Sequence, residues 1–418
     1  RLAAGGRRAL ARDDPPAAGN LLGRALDLLP AGDPGRLEPL LDLGDALTEA
    51  GEWHRAREVL GEAVEGARLA GDLRLAARGS IALLYLRETT SPRGWAEEAT
   101  RETARAIELF ERAGDRVGLA HGWRLLAHVY NRRQRWSELE QVGRRILEDA
   151  RAAGDRRSET RILGGIAASL CLGPTPAAEA ADGCRRILDE LGGAPRPTMM
   201  TLDSLALCTA MLGRFDEAER LLARADELRR ELGGKLWKVV GRAEFAAWTW
   251  LLAGRPDDAE RVLRPAYEAL GRIGERSGVL AIHAALLAQA LFAMGGRDQE
   301  AERLSEAAEV AGADSEHAAA MVEWRRARAT ALARKGSTAD AERLAREAVA
   351  LAAETDCPLG QAWALLTLAR TLWLGGRPAE ARRAAADALA VARRKGDLGS
   401  ASAATGLLAE LEGAQPAR

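Results

Sequence analysis

Few residues in this 418-residue chain are suited to chemistry. There are five histidines: His54, His121, His128, His283 and His317. His121 and His128 are seven apart, close to two helical turns, so both can lie on one helix face. A metal pair would favour i, i+4 spacing and further ligands, so the plainer reading is two surface or groove histidines. The four cysteines, Cys171, Cys184, Cys208 and Cys357, form no CxxC and no ligand spacing. They read as small buried side chains of a reducing, cytoplasmic setting. The acid pairs Asp257-Asp258 and Glu97-Glu98 fall at expected helix starts, where they offset the helix dipole. A phosphate loop, HExxH and GxSxG are all missing from the sequence. The sequence therefore predicts no catalytic residue, no metal site and no cofactor.

Composition fixes the elements that must position any site. Apolar residues make up 47% but aromatics only 4%, since most of the apolar content is Ala and Leu. Ala, Leu, Glu and Arg are strong helix formers, and strand formers are sparse. An all-α protein follows. The 60 basic and 61 acidic residues nearly cancel, against the cationic excess that nucleic acid requires. No apolar run approaches the roughly 20 residues of a membrane helix. The chain opens on Arg1, so we expect a piece of a longer protein.

One phrase recurs along the chain. LGRFDEAERLLARADELRREL at Leu212–Leu232 returns in variant form as AGEWHRAREVL, AGRPDDAERVL and GGRPAEARRAA. Its alanine lies at Ala18, Ala56, Ala99, Ala180, Ala218, Ala259, Ala301, Ala341 and Ala381, with Leu139 filling the fourth slot. The spacings run from 38 to 43 residues, the mark of a repeat array.

Each repeat reads as a helical hairpin. A small-residue pair such as Leu43-Gly44 or Leu205-Ala206 lets the first helix approach its neighbours. A turn glycine such as Gly213 ends that helix. Proline at Pro15, Pro176, Pro256 and Pro378, or an aromatic, then opens the second helix. An Ala…Leu…Ala stripe at spacings of four and three follows, as in Ala218, Leu222 and Ala225. A second glycine with an acid closes the unit: Gly71-Asp72, Gly114-Asp115, Gly154-Asp155 and Gly396-Asp397. The aspartate is placed to cap the next helix. A lone hairpin cannot bury its apolar face, so units must stack. Expected units are 1–34, 35–72, 73–115, 116–155, 156–194, 195–235, 236–275, 276–314, 315–356 and 357–397, with a capping helix and tail at 398–418. Leu139 and the lengthened turn before Ala99 predict altered packing there. Pro265, interior to a second helix, predicts a kink.

At Leu205-Ala206, Gly213, Phe215, Ala218, Leu222 and Ala225 the chain resembles the tetratricopeptide repeat family, with the family's final proline kept only as Pro30. The resemblance covers essentially the whole chain. It implies a right-handed α-solenoid of about ten hairpins, with units of roughly 40 residues where the family uses 34. The phrases at Leu172–Ala180, Gly274–Leu304 and Ala341–Asp356 also resemble the C-terminal arrays of actinobacterial-type regulators. Those regulators join a class III adenylate/guanylate cyclase and an AAA ATPase to such an array. Arrays of large ATP-binding transcriptional regulators of the LuxR/MalT type are similar.

The resemblance implies a non-catalytic interaction or regulatory arm. Its expected partner is a protein, a peptide or the catalytic domains of its own parent chain, without nucleic acid or membrane; a small-molecule inducer in the groove is the alternative. First helices of the units would supply the concave face. By that register the candidate residues are His121, Arg124, His128, Asn131 and Arg132, then Glu244, Phe245 and Trp248, then Trp363 and Arg370. Tryptophan and arginine favour binding hot spots. The competing readings are inter-repeat core for Trp248 and Trp363, and an ordinary solvated face around Arg124 and Arg132.

Overall fold

A computed structural model describes residues 1–12, 14–90, 94–154, 156–231, 236–273 and 278–413. Those residues form 21 α-helices and one short 3-10 turn, with no strand among them. The helices follow one another as hairpins. The first four are α1 (Leu2–Ala11) with α2 (Pro15–Asp27), α3 (Leu37–Ala50) with α4 (Trp53–Leu69), α5 (Leu73–Thr90) with α6 (Trp95–Ala113), and α7 (Arg116–Arg132) with α8 (Trp136–Ala153). Next come α9 (Arg156–Leu172) with α10 (Ala177–Leu191), α11 (Pro195–Met211) with α12 (Phe215–Glu231), and α13 (Leu236–Leu252) with α14 (Pro256–Ile273). The last are α15 (Val279–Met294) with α16 (Asp298–Gly312), α17 (Ala318–Arg334) with α18 (Thr338–Ala353), and α19 (Pro358–Leu374) with α20 (Pro378–Lys395). A single helix, α21 (Leu398–Gly413), follows.

The repeating phrase performs the same work in each hairpin. All nine slot alanines, from Ala18 to Ala381, are fully buried, and Leu139 is buried in the fourth slot. Gly213 ends α11 at φ 74°, a conformation that costs a side chain energy. Gln134 occupies the equivalent turn position of the fourth hairpin and adopts φ 50° without being glycine. The small residue of the first helix permits close approach. A Cβ on Gly44 would stand 2.3 Å from a methyl of buried Leu60. The closing aspartates cap as expected: Asp72 accepts from Leu75 N at 2.9 Å, Asp115 from Gly118 N at 2.9 Å, and Asp397 from Ser400 N at 3.1 Å. Asp155 lies outside the described residues. Pro265 sits inside α14, which continues through it to Ile273; its missing N–H leaves the Arg261 carbonyl without the usual helical donor.

The chain divides into two compact units, Arg1–Val129 with Glu148–Glu159, and Tyr130–Leu147 with Thr160–Arg418. The division runs through α7, α8 and the start of α9, and α7 with α8 is the hairpin that carries Gln134 and Leu139 in place of the usual small residues. The first unit is cored by leucine and alanine from α1 to α5, and by Trp95 and Phe110 of α6 against Leu125 and Val129. In the second unit α11 and α15 are buried nearly all round. Thirteen of the 17 residues of α11 and 11 of the 16 of α15 are buried, so these helices are covered on both sides. The second helices bury one stripe only, as Ala218, Leu222, Ala225 and Arg229 do in α12. Ion pairs zip their outer faces: Arg297 meets Glu260 and Arg264 meets Glu300, both at 2.8 Å, between α14 and α16. Surface pairs of this kind, here half-buried, each contribute about 0–1 kcal/mol.

Candidate partner-binding faces

In the first unit, α1, α3, α5 and α7 bring one position of the repeat together. Arg7, Asp45, Glu88 and His128 each lie eleven residues before the slot filled by Ala18, Ala56, Ala99 or Leu139. They therefore fall at the same height on successive first helices, and their neighbours complete a polar ladder. Arg7 Nε donates to Asp42 at 2.6 Å, and its Nη2 donates to Glu38 at 3.1 Å. Burial pushes the Asp42 carboxyl above its ordinary range, against the pull of Arg7. Asp45 faces His121 at 3.7 Å and Arg124 at 3.8 Å. Arg124 Nη2 donates to His121 Nδ1 at 3.2 Å, which leaves the His121 proton on Nε2, toward Asp45. Burial, aided by the charges of Arg124 and Arg78, holds His121 well below the usual imidazole range, so the ring is neutral. Arg78 itself is buried, and its Nε has no hydrogen-bond partner.

Beside this cluster, His128 Nε2 meets Glu88 Oε2 at 2.6 Å. The ring packs against Tyr85 at 4.8 Å and edge-on to Trp95 at 5.6 Å. Trp95 is held in turn by donation from its Nε1 to the Leu84 carbonyl at 2.6 Å. Of these groups Arg124 is exposed, while His121 and His128 are half-buried. The arrangement offers a guanidinium, a carboxylate and a neutral imidazole within reach of one ligand. Asn131 and Arg132 are half-buried and belong to the second unit, so the five α7 candidates do not form one cluster within a unit.

The second-unit candidates sit differently. Glu244 and Phe245 are half-buried, while Trp248 is 7% exposed and Trp363 9% exposed. Phe245 lies edge-on to Trp248 at 5.5 Å, and Glu244 Oε1 is 3.7 Å from His283 Nδ1. Trp363 Nε1 donates to Ser400 Oγ at 3.1 Å, and the Arg326 guanidinium stands 5.1 Å over its ring. Trp248, Glu323 and Trp363 line a cavity of about 20 Å³ together with Gln134 and Cys357. That volume holds about one water. The tryptophans thus pack inside the second unit and do not face an open groove. Arg370 is exposed.

Residue type alone missed Arg7, Asp42, Asp45, Arg78 and Glu88. The available signal was repeat register, since residues one period apart on first helices become neighbours. It also missed the meeting of Cys171, Cys184 and Cys208, whose buried thiols lie close enough in the core of α9, α10 and α11 to shift one another's ionisation. Among the described residues no cluster of three side chains is arranged to hold a metal ion, and no helix is long and apolar enough to cross a membrane.

No protein-family model and no curated protein matches the chain. Solved structures do. The chain is similar to the Cut9–Hcn1 hetero-tetramer of the APC/C, with a TM-score of 0.54 and 15% identity over 97% of this chain and 82% of that one. It is also similar to a Rap protein complexed with Competence and Sporulation Factor (TM-score 0.46, 12% identity, 91% and 98% covered). A third likeness is to the apo quorum sensor NprR from B. thuringiensis (TM-score 0.44, 12% identity, 74% and 84% covered). The Cut9–Hcn1 likeness, taken with the hairpin geometry, gives this chain the fold of a tetratricopeptide-type helical-repeat array.

Proposed function

We propose that the chain is a non-catalytic protein-interaction module that engages its partner through the polar first-helix face of the first unit. The observation that supports this is the ladder through Arg7, Asp45, Glu88 and His128. Four successive repeats spend an equivalent position on charged or titratable groups, although stacking hairpins needs only apolar and small residues there. Arg124 remains exposed at its edge. Cut9 is itself found in a hetero-tetramer with Hcn1, an assembly role that agrees with a scaffold. By resemblance of its repeat phrasing, the array serves as the regulatory arm of a cyclase and ATPase signalling protein. A place in a LuxR/MalT-type regulator is the second reading. Its small-molecule form has little support from Trp248, which lines a cavity with room for about one water.

The test is selection of a random twelve-residue peptide library on the full chain, with counter-selection on an Arg124→Glu, Asp45→Lys variant. Peptides that lose about tenfold or more in affinity on the variant support the face. Selected peptides that bind both proteins equally overturn it.

A further inference from the structure

The second unit is held to itself by two charged contacts that span more than half the chain. The first is Asp356. Aspartates between a second helix and the helix that follows it cap that following helix, as Asp72, Asp115 and Asp397 do. Asp356 lies at the same kind of junction, before α19, yet the cap residue of α19 is Cys357, with no side-chain cap bond. The Asp356 carboxylate is turned instead onto the start of α8. It accepts from Trp136 N at 2.5 Å and Ser137 N at 2.7 Å, across 220 and 219 residues. The Asp356 N–H donates to the Gln134 carbonyl at 3.2 Å. This gives the left-handed Gln134 a purpose, since its turn presents that carbonyl. A carboxylate on the first N–H groups of a helix also meets the positive end of the helix dipole.

The second contact is Lys395, 1% exposed at the end of α20. Its ammonium donates to the carbonyls of Leu170 at 3.2 Å, Gly173 at 2.7 Å and Thr175 at 2.6 Å. Three bonds use the full donor capacity of the ammonium. They fall at the C-terminal end of α9, where a cation meets the negative dipole end. Backbone packing runs alongside. A Cβ on Gly399 would stand 3.0 Å from a Leu252 methyl and 3.3 Å from the Leu252 carbonyl. Between α8 and Asp356 lie the ten helices α9 to α18, so the unit meets its own beginning after about five hairpins. The cavity beside Trp248, Glu323 and Trp363 is closed by Gln134, Leu172 and Cys357, which flank the two contacts.

We propose that Asp356 and Lys395 are clasps that hold the second unit as a closed turn, and that their joint release is a local opening exposing its inner wall without unfolding the helices. Lys395 is a buried charge and Asp356 a half-buried one, and the hydrogen bonds of both side chains go to backbone groups at the other end of the unit. Losing one weakens the seat of the other, so release is cooperative. Opening would bare Trp248, Glu323, Arg326 and Trp363, and the thiols beside Leu170 and Gly173.

The native thiols report on it. The full chain is treated with N-ethylmaleimide in buffer far below its unfolding transition, and modification of Cys171, Cys184 and Cys208 is followed by mass spectrometry. Hydrogen exchange of the same samples is read in both units. Asp356→Asn and Lys395→Met are each expected to speed thiol modification about tenfold. Exchange should accelerate around 134–140, 168–178, 354–360 and 393–400, while α3 and α4 stay protected. The double variant should add less than a second tenfold. A core variant in the second unit away from both contacts, Leu344→Ala, controls for general loss of stability. The proposal is overturned if labelling does not change. It is equally overturned if labelling follows global stability in every variant, Leu344→Ala included, with α3 and α4 exchanging faster to the same degree. Should Lys395→Met fail to fold, Asp356→Asn keeps the test, because its amide oxygen still accepts one of the two bonds.

Discussion

His128 and Glu88 meet at 2.6 Å across 40 residues of sequence, one full repeat, so their contact joins α5 to α7 at the same height on both helices. Glu88 is buried and His128 half-buried, which makes the contact a joint between hairpins as well as part of the polar ladder. Glu88→Gln keeps the shape and removes the charge. Charge-assisted hydrogen bonds contribute about 1.5–3 kcal/mol, and the amide recovers part of that. A loss of about 1–2 kcal/mol in urea unfolding is expected. An unchanged midpoint would show that the pair is energetically idle.

Close packing of first helices makes some glycines irreplaceable and leaves others free. A Cβ on Gly118 in α7 would stand 2.4–2.7 Å from ring carbons of fully buried Phe110, which cannot swing aside. Gly61 in α4 has nothing within 4 Å of the same position. Gly118→Ala should cost about 1–3 kcal/mol through overpacking. Gly61→Ala should gain up to about 1 kcal/mol from helix propensity. Equal shifts for the two variants in thermal unfolding would contradict the packing described here.

Trp363 separates the two expectations raised for it. Its indole N–H is bonded to Ser400, and Arg326 covers its ring. Trp363→Ala should therefore destabilise the chain by about 3–5 kcal/mol, as for other buried aromatics. A freely exposed hot-spot residue would lose binding with almost no loss of stability, and chemical unfolding distinguishes the two.

The repeat period, the hairpin and its turn at Gly213 were legible because they depend on local rules: helix stop, tight turn, helix start. Burial of the slot alanines follows from the same rules. The Asp45, Glu88 and His128 alignment was legible only by comparing one position across successive units, because contact follows period there and not adjacency. Asp356 and Lys395 were not legible. Their partners lie 219 to 225 residues away, brought near by the small rotation that each hairpin adds to the last, and no local pattern encodes that sum. For Trp248 and Trp363 the sequence leaves two readings open, groove face or inter-repeat core, and their burial at 7% and 9% exposure agrees with the second.

His121 makes one pH dependence predictable. Its imidazole is held well below its ordinary value by burial, with Arg124 and Arg78 adding repulsion to the charged form. The unfolded chain binds this proton near pH 6.5, while the folded chain refuses it until a lower pH. Above about pH 6.5 neither state is protonated there, and the group is neutral in the balance. Below that, the unfolded state gains protons the folded state lacks, so stability falls as pH drops toward the folded value. His121→Gln removes the titration while keeping a side chain able to accept from Arg124. The variant should lose part of the decline in unfolding free energy between pH 7 and the acid side of the imidazole range. Parallel pH profiles for variant and parent would show that His121 takes up its proton as readily in the folded chain as in the unfolded one.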